Sequence, residues 1–312
     1  MKKIELHCHL DGSLNIEYAN KLIGYDVKDK LVSTKDKNLT EYLKRFDLPI
    51  DLLQTKDNIE EFSYLLSKDL EKDEVIYAEV RFCPLLHTKK GLSIDEVINS
   101  VIDGFYRNFS VKVNLILCMM RNLTFDENKT IIDYAIKYKD DGVVGIDLAG
   151  DEIKYKTKDF EKLFDIAKEN NIPFTIHAGE ADGHESIDAA IKFGAKRIGH
   201  GIKAIENKNT IKKILQNDIL LEICPSSNDD TGIYSITKNP FKELYDMGAK
   251  ICINTDNRTV SNTNLKEEYE QISEIFGFTN QELINFNLNA IDKAFCSDFE
   301  KYKLRKEILN EK

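Results

Sequence analysis

The chain has 312 residues, 42% of them hydrophobic and 31% charged, with only 5 Pro and 15 Gly; it has the apolar material for a large core and is unlike collagen, disordered or low-complexity chains. Its 44 Lys and Arg against 54 Asp and Glu leave a formal charge of −10, which disfavours nonspecific contact with phosphate backbones or anionic lipid, so neither nucleic acid nor membrane is expected as a partner. The length fits two domains or one α/β barrel with insertions.

At the N-terminus, Glu5 and His7 interrupt the apolar run that a signal peptide needs. The longest apolar stretch, Leu115 to Met120, falls far short of the ~20 residues that cross a bilayer. Of the six Cys, Cys83, Cys118, Cys224 and Cys252 sit in apolar, strand-like stretches without CxxC spacing. They are expected to be reduced and mostly buried, in a cytoplasmic protein.

In chain order, short β-rich runs fall at Lys3 to Leu10, Val75 to Phe82, Val111 to Met119, Val143 to Leu148, Pro173 to His177, Arg197 to His200, Ile219 to Cys224 and Lys250 to Thr255. Several are near-continuously apolar, as parallel strands buried on both faces should be, and amphipathic stretches such as Ile94 to Tyr106, Lys158 to Asn170 and Thr210 to Asn217 lie between them. Eight β/α alternations predict a (β/α)8 TIM barrel. The competing doubly wound sheet lacks its G-x-G-x-x-G after the first strand. Residues 11–74 are too many for a βα loop and carry helical periodicity at Glu17 to Ile23, Thr40 to Phe46 and Asp57 to Leu70. Leaving the C-terminal end of the first strand, they are expected to form a helical cap over the active-site end of one domain spanning 1–312, with terminal helices over 265–312 packed on the barrel's outside.

The chemistry-bearing residues gather at the predicted strand ends. In His7-Cys8-His9 a period of two puts both imidazoles on one face, half of a metal site. His177, His200 and Asp256 end the fifth, sixth and eighth strands, while His87 and His184 read as surface-loop residues. Three His and one Asp suit one divalent ion, Zn²⁺ fitting best, with a position left open for water; a structural zinc site would be closed and Cys-rich. The fourth strand ends Gly145-Ile146-Asp147-Leu148-Ala149-Gly150, with no Lys to bridge a second ion. Glu180 and His200 are candidates for proton transfer. Their alternatives are a helix N-terminal carboxylate for Glu180 and a fourth nitrogen ligand for His200.

Taken in order, His7-Cys8-His9-Leu10-Asp11-Gly12-Ser13-Leu14, Ala78-Glu79-Val80-Arg81-Phe82, Asp147-Leu148-Ala149-Gly150-Asp151-Glu152, His177-Ala178-Gly179-Glu180, Arg197-Ile198-Gly199-His200-Gly201, Cys224-Pro225-Ser226-Ser227-Asn228 and Asn254-Thr255-Asp256-Asn257 resemble the adenosine deaminase family. The resemblance implies zinc on His7, His9, His177 and Asp256, Glu180 as proton donor to purine N1, and His200 beside the attacking hydroxide. It further implies the Gly150 N–H on N3 and Asp11 on the ribose 5′-hydroxyl, with His9, Asp11, Gly150 and Asn257 binding substrate and Glu180, His200 and Asp256 catalytic. One departure stands out: Asn257 and Arg258 follow Asp256 where many relatives have a second Asp and a Pro. An amide NH₂ donates to N7 at any ordinary pH, so Asn257 suits that role.

The implied function is hydrolytic deamination of adenosine and 2′-deoxyadenosine to inosine and 2′-deoxyinosine plus ammonia. The alternatives are an adenine or 5′-methylthioadenosine deaminase and a noncatalytic nucleoside-binding protein on the same scaffold. A 5′-phosphate is expected to be disfavoured, because the sequence shows no obvious basic residue near Asp11. Asp229, Asp230 and Arg258 carry no assigned role.

Overall fold

The computed structural model describes residues 1–33 and 39–310; residues 34–38 of the expected cap and residues 311–312 of the expected terminal helices lie outside the described residues. Its strands are β1 (Lys3–His9), β2 (Val75–Phe82), β3 (Lys112–Met120), β4 (Val143–Ala149), β5 (His177–Ala178), β6 (Arg197–His200), β7 (Leu220–Ile223) and β8 (Lys250–Ile253). All pair in parallel, as two four-stranded halves, β1-β2-β3-β4 and β5-β6-β7-β8.

Single bridges join the halves. Ile146 pairs with Phe174, and Cys8 with Asp256. At the second seam the His9 N–H donates to the Asp256 carbonyl (2.7 Å) and the Asp256 N–H to the His7 carbonyl (2.8 Å), so residues expected to carry chemistry also close the (β/α)8 barrel. The fifth strand is shorter than the expected Pro173 to His177. Pro173 has no N–H to give, and ahead of His177 the chain is held by the Ile146 N–H on the Pro173 carbonyl and the Thr175 N–H on the Ile146 carbonyl.

Helices follow the strands: Ile94–Tyr106, Glu161–Glu169 and Lys208–Gln216 lie where amphipathic stretches predict them, and Phe125–Tyr138 and His184–Phe193 add two that were not singled out. Ser93 and Thr124 begin two of them with reciprocal capping boxes through Glu96 and Glu127. Between β1 and β2 the expected helices occur at Ile16–Ile23, Leu39–Tyr42 with a tighter turn over Leu43–Phe46, and Lys56–Lys72; Lys28–Leu31 and Asp47–Leu52 were not expected. After β8 come Leu265–Phe276, Asn280–Lys293 and Asp298–Ile308, the second of which packs on β8 and β1. There Asn287 takes the Ile4 N–H at 2.8 Å.

Two histidine expectations are corrected. His87 is buried, not in an exposed loop: its Nδ1 lies 3.1 Å from the Leu53 carbonyl, and burial pulls its pKa down to about 4. The segment between β1 and β2 folds down over it, a long-range event invisible in the local sequence. His184 opens the helix His184–Phe193 and is half-buried against Asn207. The cysteines are free, five of them buried. No helix among the described residues is long and apolar enough to cross a membrane.

Candidate active site

Barrel interiors are usually filled by branched apolar side chains, but this one holds ions. Glu79, Arg81, Asp147, Arg197 and Glu222 are all fully buried. Arg81 pairs with Asp147 (2.9 Å) and Glu222 (3.0 Å), and Arg197 with Glu222 (2.6 Å) and Glu79. Unpaired, any of these charges would be costly to bury. Although burial pushes both carboxyls up, Arg197 and Arg81 hold Glu222 well below the usual range, while His177 and Arg81 do the same for Asp147.

The network's free edge orients histidines. Glu222 stands 2.8 Å from Nδ1 of His7, and Asp147 stands 2.8 Å from Nδ1 of His177. At His7 this contact is a hydrogen bond, which keeps the ring proton on Nδ1 and leaves the Nε2 lone pair free, the usual arrangement behind a metal-binding imidazole. Ligand atoms of His7, His177, His200 and Asp256 all lie within 4.8 Å of one another. His9 joins from the side, its Nε2 3.2 Å from Nε2 of His177 and 3.3 Å from Oδ1 of Asp256. Among the described residues Nε2 of His7 is buried without a hydrogen-bond partner. Buried lone pairs facing one another and a carboxylate make a donor set that fits a divalent cation.

His200 and Asp256 have φ of 62° and 60°, the left-handed region that non-glycine residues seldom adopt. Such strain gathers where surrounding structure dictates the geometry. Asp256 is anchored by the Ser227 hydroxyl at 2.6 Å.

Glu180 is buried beside this cluster, 3.7 Å from Nε2 of His200. Burial, then the charges of Asp256 and Glu152, push its carboxyl well above the usual range, which favours the protonated form. Its position is set by Glu152, whose carboxylate accepts the N–H groups of Gly179, Glu180, Ala181 and Asp182 at 2.6 to 3.1 Å. Arg121 braces the same loop by donating to the carbonyls of His177 (2.6 Å) and Tyr155 (2.8 Å).

Above these groups lies a cavity of about 410 Å³, a small-ligand size. His9, Asp11, Gly150, His177, Glu180, His200, Asp256 and Asn257 line it; Leu39, Tyr42, Leu43, Phe46 and Ile50 add an apolar wall from between β1 and β2. Asp11 is buried, its carboxyl pushed up to about 7 by burial. Gly150 has φ of 104°, a conformation glycine adopts freely. Asn257 packs on Gly12, where an added Cβ would stand 1.9 Å from its Oδ1.

The structure thus brings together every residue singled out for the site. Arg258 turns away to pair with Asp73 at 2.8 Å, and Asp229 and Asp230 stand half-buried outside the cavity lining. Lys154 does line the cavity, so the site as a whole is not without a basic residue as expected. Missed altogether were Asp147, Glu222, Glu152, Arg81 and Arg121 as orienting groups. The available signal was a charged residue inside an otherwise apolar strand, as in Ile146-Asp147-Leu148 and Leu221-Glu222-Ile223.

Comparison with known proteins agrees with this geometry. The family model described as adenosine deaminase matches residues 2–311. An adenosine deaminase of Clostridium perfringens is 38% identical, with 99% of this chain and 98% of the relative covered. Among solved structures, the N6-mAMP deaminase of Arabidopsis superposes with a TM-score of 0.90 at 29% identity, covering 99% of this chain and 98% of that one. The adenine deaminase of Arthrobacter aurescens superposes at 0.87 and 23% identity, with 99% and 98% covered, a likeness of fold.

Proposed function

Because the chain belongs to the adenosine deaminase family of hydrolases, we propose that it hydrolyses the 6-amino group of adenosine and 2′-deoxyadenosine, giving inosine or 2′-deoxyinosine and ammonia. The observation that carries this reading is a buried Glu180, its carboxyl pushed well above the usual range, beside converging imidazole nitrogens at the floor of a nucleoside-sized cavity. On this reading His7, His9, His177 and Asp256 hold one divalent ion, Zn²⁺ by the chemistry of the donors. When bound, such an ion makes water a usable nucleophile near neutral pH.

The chain's own residues do the rest. Glu180 gives its proton to purine N1, which drains electron density from C6 and readies that carbon for the water oxygen. His200 sits beside the incoming water and stabilises its charge as the C6–O bond forms. As the C6–N bond breaks, the former water gives up both its protons: one leaves on the amino group as ammonia and the other restores the Glu180 carboxyl, so its oxygen remains on C6 as the carbonyl. The Gly150 N–H binds N3, the Asn257 amide donates to N7, and Asp11 accepts the ribose 5′-hydroxyl. We read residues 11–74 as a cap over the cavity of one domain, its apolar wall excluding bulk water.

A second reading, a nucleoside monophosphate as substrate, is favoured by Lys154 in the cavity lining. Kinetics on adenosine, 2′-deoxyadenosine, adenine, 5′-methylthioadenosine and AMP, with wild type and Asp11→Ala, separate the readings. Adenosine should lead, and the 5′-modified nucleosides should lose about ten- to a hundredfold in kcat/KM, as expected for a buried acceptor left unpaired. AMP or adenine as best substrate defeats the nucleoside assignment, and turnover of none supports a noncatalytic binder.

A further inference from the structure

The hydrogen bonds behind His200 decide which ring nitrogen carries its proton, and we propose that Asn239 and Asn228 are positioning residues that hold His200 as the Nε2–H tautomer, a donor toward the incoming water and not its base. The consequence for catalysis rests on the deaminase reading; the geometry does not.

The chain of bonds starts at a group that can only donate. The backbone N–H of Phe241 donates to Oδ1 of Asn239 at 3.2 Å. The other end of that amide is therefore its NH₂, and it donates to Oδ1 of Asn228 at 3.3 Å. Asn228 in turn presents its own NH₂ to Nδ1 of His200 at 3.1 Å. Nδ1 accepts, so the proton of the neutral ring lies on Nε2. Turning the Asn228 amide would set two NH₂ groups against each other, and turning the Asn239 amide would set one against the Phe241 N–H. His200 and Asn228 are fully buried and Asn239 nearly so, which leaves little water to relieve either mismatch.

His7 has the opposite arrangement, its Nδ1 hydrogen-bonded to the Glu222 carboxylate. One site therefore holds two tautomers, set by what stands behind each ring. Nε2 of His200 has no hydrogen-bond partner among the described residues, with Glu180 3.7 Å and Asp256 3.9 Å away. A nitrogen that bears a proton offers no lone pair to a metal and takes no proton from water. What it can do is donate a hydrogen bond to the oxygen approaching C6. The fourth-ligand reading of His200 thereby gives way to His9.

The test is direct observation of the ring nitrogens. Full-length, metal-loaded protein labelled with ¹⁵N-histidine, with His200 assigned by comparison with His200→Gln, should show in long-range ¹H–¹⁵N spectra a bare Nδ1 and a protonated Nε2 at His200. A protonated Nδ1 there overturns the proposal. Asn228→Asp places a carboxylate behind the ring and should draw the proton to Nδ1. In that variant kcat for adenosine should fall about 10²-fold, the scale for losing one preorganised donor, with KM within about threefold and metal content kept. An unchanged tautomer and rate in metal-loaded Asn228→Asp would also overturn it. The wild-type spectrum needs no substrate. Protein that shows Nε2–H but does not turn over adenosine defeats the function and keeps the tautomer, and active protein with Nδ1–H does the reverse.

Discussion

Glu152 accepts the backbone N–H of Glu180 at 3.1 Å, one of four successive N–H groups that its carboxylate gathers. One side chain thus both positions the proposed acid and, by its charge, helps keep it protonated. In Glu152→Gln one acceptor oxygen becomes a donor facing other donors, so stability should fall by about 1–3 kcal/mol. Loss of the charge lowers the Glu180 pKa, and since Glu180 acts while protonated, the high-pH limb of kcat/KM should move to lower pH. Chemical denaturation and a pH–rate profile check both, and a limb that stays put separates Glu152 from the acid.

Glu180→Gln keeps the side chain's shape but has no acidic proton. With metal content unchanged, kcat for adenosine should fall at least ~10²-fold. A near-normal rate in the loaded variant would return Glu180 to the role of a carboxylate at the start of a helix.

Purified protein should carry about one divalent ion per chain, and strong chelation should abolish turnover and lower the melting temperature, because ligand binding to the folded state stabilises it. Elemental analysis is the check. Two ions per chain, or full activity in metal-free protein, contradict the single-ion reading.

Gly12→Ala would drive a methyl group into Asn257, whose Oδ1 stands 1.9 Å from the added Cβ. Overpacking of this kind costs about 1–3 kcal/mol. Because the displaced amide is the proposed N7 donor, kcat/KM should drop about tenfold as well. Thermal melts paired with adenosine kinetics read both effects, and a variant equal to wild type in each would mean that the loop yields freely.

His87 gives a pH signature in stability. Its folded pKa is pulled down to about 4 from 6.5. Between those values the unfolded chain binds the proton and the folded chain does not, so stability is full above about pH 6.5 and falls as pH drops toward 4, by up to about 3 kcal/mol. His87→Gln, which can still donate to the Leu53 carbonyl, should lose correspondingly less over that window. Unfolding free energies of both proteins at several pH values make the comparison, and parallel curves would remove His87 as a cause.

Much of the site was legible because its information is local. Strand period alone set His7 and His9 on one face, and apolar runs ending in His177, His200 and Asp256 marked the barrel rim. Helix spans such as Ile94–Tyr106 followed from apolar spacing, which reflects which face a helix must bury. Residues 11–74 announced helices through the same spacing, yet the short helices Lys28–Leu31 and Asp47–Leu52 were missed because four to six residues hold too little periodicity to be seen.

Only the tertiary structure decided what stands behind each functional group. Glu222 lies 215 residues from His7 and Asn228 lies 28 from His200, and no local pattern pairs them; barrel closure does, by bringing eight strand interiors to one axis. Burial then excludes water, so each polar group must find a protein partner behind it, and the same burial raises the Glu180 carboxyl and lowers the pKa of His87. Residue types and their order along the chain determined which chemistry was possible, and long-range packing determined the protonation states in which those groups meet.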